Sequence, residues 1–164
     1  MKIGIDHFAR PSDSLAVAAA SGKLHRNFQG YTDDDRKVLL GLGASSISTF
    51  ANGFVQNIAD VPKYVGIIEA GTLASARGCR RDAEDRQRAD IIERLMCDFE
   101  VDLDLIAPFA EELAMLAAMQ REGLVEILGR RLVVTDAGRS IVRVVAAAFD
   151  TYRRAHAAQF STAI

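Results

Sequence analysis

A helix pattern that begins at Asp82 constrains the second half of this 164-residue chain more than any other feature. Apolar residues recur after it at intervals of three and four, the spacing that places side chains on one face of a helix. These residues are Ala89, Ile92, Leu95, Met96 and Phe99. Because such a face must be buried against other elements, we expect the chain from Asp82 onward to build a packed domain.

The segments that follow predict the partners of this helix. We predict a short helix near 102–107, a second helix over 109–122 and a β-hairpin over 124–135. Thr135 is expected to cap a long final helix from Asp136 to about His156. This order of helices followed by a hairpin and a last helix is typical of a winged-helix module.

The first half of the chain has shorter and more polar segments. The opening strand pattern has no preceding turn or cap, which indicates a piece of a longer protein or the edge strand of a small domain. The predicted elements are a strand at Lys2–Ile5, a helix at Ser12–Ser21 capped by Ser12, an exposed or site-forming loop at 26–37, strands at Val38–Leu42 and Gly53–Asn57, and a helix that Asp60 caps and that runs to Ala70.

Composition argues against several classes of function. The net charge of −2 gives no basic excess for nucleic acid, and the longest apolar run, Leu113–Met119, is far too short to span a membrane. Cys79 and Cys97 are too few for a disulfide framework or a closed metal site. The N-terminus has no signal-peptide core, so we expect a cytoplasmic protein. From the charge and the short apolar runs we expect neither a nucleic-acid nor a membrane partner.

Winged helices often bind DNA, so a stand-alone DNA-binding regulator is one alternative function. The candidate recognition helix over 109–122 carries three acidic residues and one arginine, which phosphates would repel. The only further basic residues that favour DNA binding are Arg130 and Arg131 at the hairpin tip.

Polar clusters in the first half indicate a binding site instead. Asp6–Arg10 follows the opening strand, and an acid, a histidine and an arginine at a strand end are typical of active-site rims in α/β barrels. His25–Tyr31 is a second dense cluster with two aromatic residues. Gly41–Ser46 is similar to the start of a dinucleotide fingerprint but lacks its third glycine, and therefore indicates only a tight turn.

Taken together, these segments resemble the C-terminal portion of the oxygen-independent coproporphyrinogen III oxidases. The resemblance runs from about residue 3 to the end of the chain, with the motifs in the order that the family requires. The motifs are Gly4–Ala9, Arg26–Thr32, Gly41–Ser48, Gln56–Asn57, Arg77–Gly78, Leu95–Cys97, Val134–Arg139 and Phe149–Tyr152.

The resemblance implies a radical-SAM enzyme of haem biosynthesis. Such oxidoreductases use S-adenosylmethionine and a [4Fe–4S] cluster to decarboxylate two propionates of coproporphyrinogen III oxidatively, which gives protoporphyrinogen IX. The family's cluster needs a C-x-x-x-C-x-x-C run, and this chain has none. We therefore expect both cofactors to belong to the parent enzyme, an N-terminal radical-SAM barrel to be the missing partner, and the chain alone to be inactive.

The resemblance also implies site residues. It places Phe28, Gln29 and Ile47 near S-adenosylmethionine and the substrate pocket. Further candidates, for pairing with substrate carboxylates, are Arg10, His25 and Arg26. No catalytic residue and no metal ligand is expected within this chain.

The predicted fold class is α+β and mainly helical. Residues 1–58 are expected to complete the edge of a catalytic barrel and its active-site loops. Residues 59–158 are expected to form a winged-helix-like helical domain with one β-hairpin, followed by a tail at 159–164. A non-catalytic tetrapyrrole-binding protein is the second alternative function.

Overall fold

The computed structural model describes residues 1–102 and 109–155. The predicted tail at 159–164, the end of the last helix at His156 and all but the first residue of the helix near 102–107 lie outside these residues. Within them, no helix is both long and apolar enough to cross a membrane.

The described elements are helices joined by small antiparallel sheets, which agrees with the predicted α+β class. In chain order they are β1 (Lys2–Ile3), β2 (His7–Phe8), α1 (Ser14–Ala20), β3 (His25–Asn27), β4 (Gly30–Thr32), β5 (Ile47–Phe50), β6 (Gly53–Asn57), α2 (Val61–Glu69), β7 (Ser75–Arg80), α3 (Ala83–Asp98), β8 (Glu100–Asp102), α4 (Ala110–Met115), α5 (Ala117–Arg121), β9 (Val125–Leu128), β10 (Arg131–Val134), a 3₁₀ turn (Arg139–Ile141), α6 (Val142–Ala147) and α7 (Thr151–Ala155).

These elements group into two compact units. The first, here called the helical unit, joins Met1–Asp34 to the chain from Arg86 onward, and the second, the sheet unit, is Asp35–Asp85. The units are defined by contacts within this chain. The predicted division between residues 58 and 59 concerns a longer enzyme and stays a prediction.

Helix α3 supplies much of the core of the helical unit. At its start, the Asp82 carboxylate accepts from Asp85 N at 2.9 Å and the Asp85 carboxylate accepts from Asp82 N at 3.0 Å. This reciprocal cap satisfies two N–H groups that the helix itself leaves unpaired. Ile91 is fully buried, as is the predicted Leu95, whereas the predicted Ile92 packs against the same core while only partly buried.

A three-stranded sheet in the order β8-β10-β9 packs beside α3. The β9–β10 hairpin is as predicted, and Val125, Leu132 and Val134 bury their side chains in the core with Val101 of β8. Strand β8 was not predicted. Its three residues hold a single buried position, too few for an alternating pattern, and it forms because β10 offers it a free edge.

Two helices expected to be continuous are divided. The predicted helix over 109–122 breaks at Leu116 into α4 and α5. The predicted final helix is replaced by the 3₁₀ turn, α6 and α7. Between α6 and α7, Arg88 Nη1 donates to Phe149 O at 3.3 Å, so a side chain satisfies the carbonyl that the helix break releases. The Asp150 carboxylate accepts from Arg153 N at 3.0 Å and caps the start of α7.

A buried ion pair lies at the centre of the helical unit. Arg88 Nη1 is 2.9 Å from Glu112 Oε1, and only 11% and 5% of the two side chains are exposed. The same guanidinium lies 4.4 Å from the centre of the Phe109 ring, which meets Phe149 edge to face. Glu112, one of the three acidic residues of the candidate recognition helix, is therefore buried and paired with Arg88.

A second, smaller core joins the N-terminal elements to α3. It consists of Ile3, Ala16, Ala18, Leu24 and Cys97. Asp13, and not the predicted Ser12, caps α1, because its carboxylate accepts from Leu15 N at 3.0 Å. Burial in this core raises the pKa of Cys97 to about 12.

The sheet unit is an antiparallel sheet in the order β5-β6-β7 with helix α2. Asp60 caps α2 as predicted, accepting from Lys63 N at 2.9 Å. The predicted strand at Val38–Leu42 is reduced to one bridge between Leu39 and Thr49, and β5 and β7 were not predicted. Among residues 35–85, all of them described, only Gly53 and Ala74 are buried, so the unit has no apolar core of its own.

Breaking the buried ion pair should destabilise the chain strongly. We expect Glu112→Gln to lower the free energy of unfolding by about 3–5 kcal/mol, because it removes the carboxylate that faces a buried guanidinium. Glu100→Gln is the matched control, since Glu100 pairs with Arg131 at the surface and should cost less than about 1 kcal/mol. Urea denaturation measures both, and equal effects would contradict the central role of the buried pair.

The two cysteines should differ sharply in reactivity. At pH 8 the folded chain should react with iodoacetamide at Cys79, which is exposed, and not at Cys97, whose raised pKa of about 12 keeps the thiol protonated and which is also buried. Cys97 should react only in urea. Mass spectrometry of the alkylated peptides reads both sites, Cys79→Ser should abolish the reaction of the folded chain, and equal rates at both sites would contradict the assignment.

Candidate functional site

Phe28 and Gln29 form the tip of the β3–β4 hairpin. Asn27 pairs with Gly30, which leaves a two-residue connection between the strands. The Asn27 side-chain oxygen accepts from Gln29 N at 2.8 Å and from Gly30 N at 3.2 Å, so the turn is held by its own first residue. Both tip side chains are exposed, Phe28 by 56%.

The hairpin corrects the expectation that residues 26–37 form an exposed or site-forming loop. Its first part is a strand pair, which sequence reasoning missed because polar residues at His25–Asn27 hide the alternation of a strand. The two residues that the resemblance implies at a cofactor site are therefore neighbours on a defined turn.

Tyr31 of β4 ties this hairpin to the rest of the helical unit. Its hydroxyl accepts from Ile5 N at 3.3 Å and donates to Met96 O at 3.1 Å. A Cβ at Gly4 would lie 2.1 Å from the Tyr31 ring, so a glycine is required there. Burial raises the pKa of Tyr31, which keeps the donating proton in place at neutral pH.

His25 is used in a structural contact. Its Nδ1 lies 3.1 Å from Glu93 Oε1, and the same oxygen accepts from Arg26 N at 3.1 Å. Glu93 of α3 thus holds the first strand of the hairpin. Sequence reasoning missed Glu93, and no local signal could have shown a partner 68 residues from His25.

Arg10 and Arg26 are exposed cations. The Arg26 guanidinium lies 5.5 Å from the centre of the Tyr31 ring. Neither Arg10 nor Arg26 has a carboxylate partner within the described parts of the chain. Of the three residues predicted to pair with carboxylates, these two keep their guanidinium groups available for an anion.

An Asp–His pair, Asp6 and His7, also lies next to Tyr31. His7 Nδ1 is 2.8 Å from Asp6 Oδ1, and Arg143 of α6 is 3.6 Å from the second oxygen of the same carboxylate. The hydrogen bond to His7 and the nearby positive charge lower the pKa of Asp6. The His7 ring meets the Tyr31 ring edge to face, with 5.1 Å between the ring centres. His7 and Arg26 therefore both lie against the Tyr31 ring.

Ile47, the third residue implied at the cofactor site, lies in the sheet unit. It is the first residue of β5, is partly buried and pairs with Gln56 of β6. The loop Gly41–Ser46 precedes it. As expected from the missing third glycine, a strand and not a helix follows this loop, which argues against a dinucleotide-binding turn.

The described residues offer no site that fits an iron–sulfur cluster. Within residues 1–102 and 109–155, no group of three or more His, Cys, Asp or Glu side chains could hold a metal ion. Cys97 is buried and protonated, and Cys79 is exposed in the other unit. An iron–sulfur cluster requires several thiolates, and these two cysteines do not supply them.

Comparison with known proteins relates these features to one family. Residues 82–141 match the family described as the HemN C-terminal domain. The oxygen-independent coproporphyrinogen III oxidase of Bradyrhizobium diazoefficiens is 49% identical over 160 residues, which are 93% of this chain and 36% of that protein. The enzyme of the same name from Salmonella typhimurium is 39% identical over 99% of this chain and 38% of its own length.

A solved structure shows the same relation. It is coproporphyrinogen III oxidase (HemN) from Escherichia coli, described as a radical SAM enzyme, with a TM-score of 0.85 and 39% identity over 92% of this chain and 37% of that one. The chain thus spans little more than a third of the length of the relatives that it matches. Over nearly all of its length the chain is similar, in sequence and in fold, to a part of these oxidases that includes the HemN C-terminal domain.

Proposed function

We propose that this chain is the C-terminal part of a cytoplasmic, oxygen-independent coproporphyrinogen III oxidase. The observation that carries the proposal is the 49% identity to such an oxidase over 93% of the chain. The whole enzyme would convert two propionates of coproporphyrinogen III to vinyl groups with loss of carbon dioxide. S-adenosylmethionine and a [4Fe–4S] cluster, bound mainly by an N-terminal barrel, would supply the radical chemistry.

The sheet unit supports the existence of that partner. Many of its large apolar side chains are exposed and its own core is missing, as expected of a unit covered by another part of a longer enzyme. The exposed large apolar side chains are Val38, Leu40, Leu42, Phe50, Val61, Val65, Ile68 and Leu73. On this proposal the predicted barrel edge, residues 1–58, includes the first half of the sheet unit.

The hairpin tip is proposed to contact S-adenosylmethionine. An exposed aromatic ring beside a primary amide suits a ligand that combines an aromatic base with polar groups. Gln29 would hydrogen-bond the polar groups, and Phe28 would form an apolar wall that excludes water from a reactive centre. Ile47, in the sheet unit, is proposed as a further contact of S-adenosylmethionine because the resemblance implies it.

Substrate carboxylates are proposed to pair with the exposed cations of the helical unit. Arg26 is the best supported, because its guanidinium is exposed, stacked on Tyr31 and next to the hairpin tip in sequence. Arg10 is similarly available. His25 can offer only Nε2, since Glu93 engages its other ring nitrogen.

The winged-helix-like description of the region after residue 82 is part of the proposal. It is supported by the helices α3 to α5 and by a three-stranded sheet that contains the β9–β10 hairpin. We propose that this region is a structural cap over the substrate opening and does not bind DNA. The α4–α5 segment retains exposed acids at Glu111 and Glu122, which phosphates would repel.

A chimera tests the proposed function. Replacing the matched part of the Bradyrhizobium oxidase with this chain should give an enzyme that forms protoporphyrinogen IX. Within it, Gln29→Ala should lower kcat/KM for S-adenosylmethionine about tenfold, the loss expected for a hydrogen bond to a polar ligand group. Gln120→Ala, an exposed glutamine of α5, is the matched control, and equal rates for the two variants would contradict the role of Gln29.

The chain alone should show no turnover. After cluster reconstitution, with S-adenosylmethionine, reductant and coproporphyrinogen III, the isolated chain should form no protoporphyrinogen, because the described residues include no site for the cluster. The chimera, assayed beside it, is the positive control. Turnover by the isolated chain would refute its assignment as a part that depends on a separate cluster-binding region.

A further inference from the structure

We propose that Asn57 is a positioning residue that fixes the loop Gly41–Ser46 and thereby the location of Ile47. The proposal rests on the proposed function, in which Ile47 contacts S-adenosylmethionine. It concerns a residue that binds no ligand itself and acts only through the backbone of this loop.

Asn57, at the end of β6, bonds the loop at three points. Its side-chain Nδ2 donates to Gly41 O at 3.1 Å and to Gly43 O at 3.0 Å. Its backbone N donates to Ser46 O at 3.0 Å. One residue therefore holds the beginning, the middle and the end of the loop.

Gln56, the residue before Asn57, extends the same arrangement. Its Nε2 donates to Ser45 O at 2.8 Å, and its Oε1 accepts from Arg77 Nε on β7 at 2.7 Å. Adjacent residues of a regular strand point to opposite faces of the sheet. Here the β6–β7 register shifts between Gln56 and Asn57, and such an irregularity re-aims side chains so that neighbours can reach one loop.

The loop needs this external support because its backbone is strained. Ser45 has φ +62°, a left-handed conformation that is unfavourable for a residue with a side chain. At Gly41 a Cβ would lie 2.7 Å from Ile47 O, so the loop also packs tightly on the backbone of the residue that it positions. Conformations of this kind persist only when the surrounding structure holds them.

Two hydroxyl groups complete the support. Tyr64 of α2 accepts from Gly43 N at 3.0 Å, and Ser48 of β5 accepts from Gly41 N at 3.0 Å. The polar backbone of the loop is thus directed into the sheet unit, while Leu42 is 87% exposed. The chain passes from this loop directly into Ile47, so a displacement of the loop would displace Ile47.

Asn57→Asp is the decisive variant, because it keeps the size of the side chain and removes the donor that the two carbonyls share. In the 164-residue chain, hydrogen–deuterium exchange of the amides in 41–46 should become at least about tenfold faster, as expected for the loss of two hydrogen bonds. Exchange in β5, β6 and β7 should not change, which shows that the sheet is still folded. Asn52→Asp makes the same chemical change at the exposed turn between β5 and β6 and should leave 41–46 unchanged.

The same variants in the chimera separate positioning from a loss of stability. Asn57→Asp should raise KM for S-adenosylmethionine about tenfold and change kcat by less than about twofold. Tyr64→Phe, which removes one acceptor of the loop, should raise KM by a smaller factor. Asn52→Asp should leave both constants unchanged.

Each result decides a separate statement. If 41–46 exchange no faster in the Asn57→Asp chain, or if KM is unchanged in an active chimera, the positioning role is wrong. An inactive unsubstituted chimera would instead overturn the proposed function and with it the link to S-adenosylmethionine. The exchange rates would then still decide whether Asn57 holds the loop.

Discussion

The buried contact between Arg88 and Glu112 organises the helical unit. A guanidinium withdrawn from water is costly unless its charge and its N–H groups are matched, and here a carboxylate, the Phe109 ring and the Phe149 carbonyl surround it. These partners come from α4, from the residue before α4 and from the chain after α6. The position of α3 relative to those elements is therefore specified by directional polar contacts within an apolar core, and α3 in turn supports the site, since Glu93 and Met96 on it hold the β3–β4 hairpin.

The two units maintain their functional segments by different physical means. In the helical unit the hairpin tip is exposed, but its base is anchored to buried elements through Tyr31 and Glu93. In the sheet unit there is no apolar core to anchor anything, and amide side chains from β6 hold the loop before Ile47 by bonding its backbone carbonyls. A segment held by such bonds keeps its shape while its apolar side chains stay exposed for another surface.

Signals that act over a few residues could be read from the sequence, and contacts between distant residues could not. The helix start at Asp82, the cap at Asp60 and the β9–β10 hairpin were predicted because each depends on neighbouring residues. Strand β8 escaped prediction because β10 induces it. The broken final helix escaped prediction because Arg88, 61 residues earlier, satisfies the carbonyl at the break. Phe28, Gln29 and Ile47 came from a resemblance, whereas the supports of Phe28 and Gln29, which are Glu93 and Tyr31 bonded to Met96, became visible only in the structure.

The contacts within the chain show which sequence motifs support one another. Gly4 belongs to the first motif of the resemblance, yet its role is to leave room for the Tyr31 ring of the second motif, and Met96 of a later motif accepts the hydroxyl of that same ring. Gln56 and Asn57 form a motif of their own and serve the carbonyls of Gly41–Ser46, another motif. Residues in motifs that resemble the same family therefore need not contact the same ligand. Several are bonded to one another, and the exposed tip residues Phe28 and Gln29 are the ones that we propose to contact a cofactor.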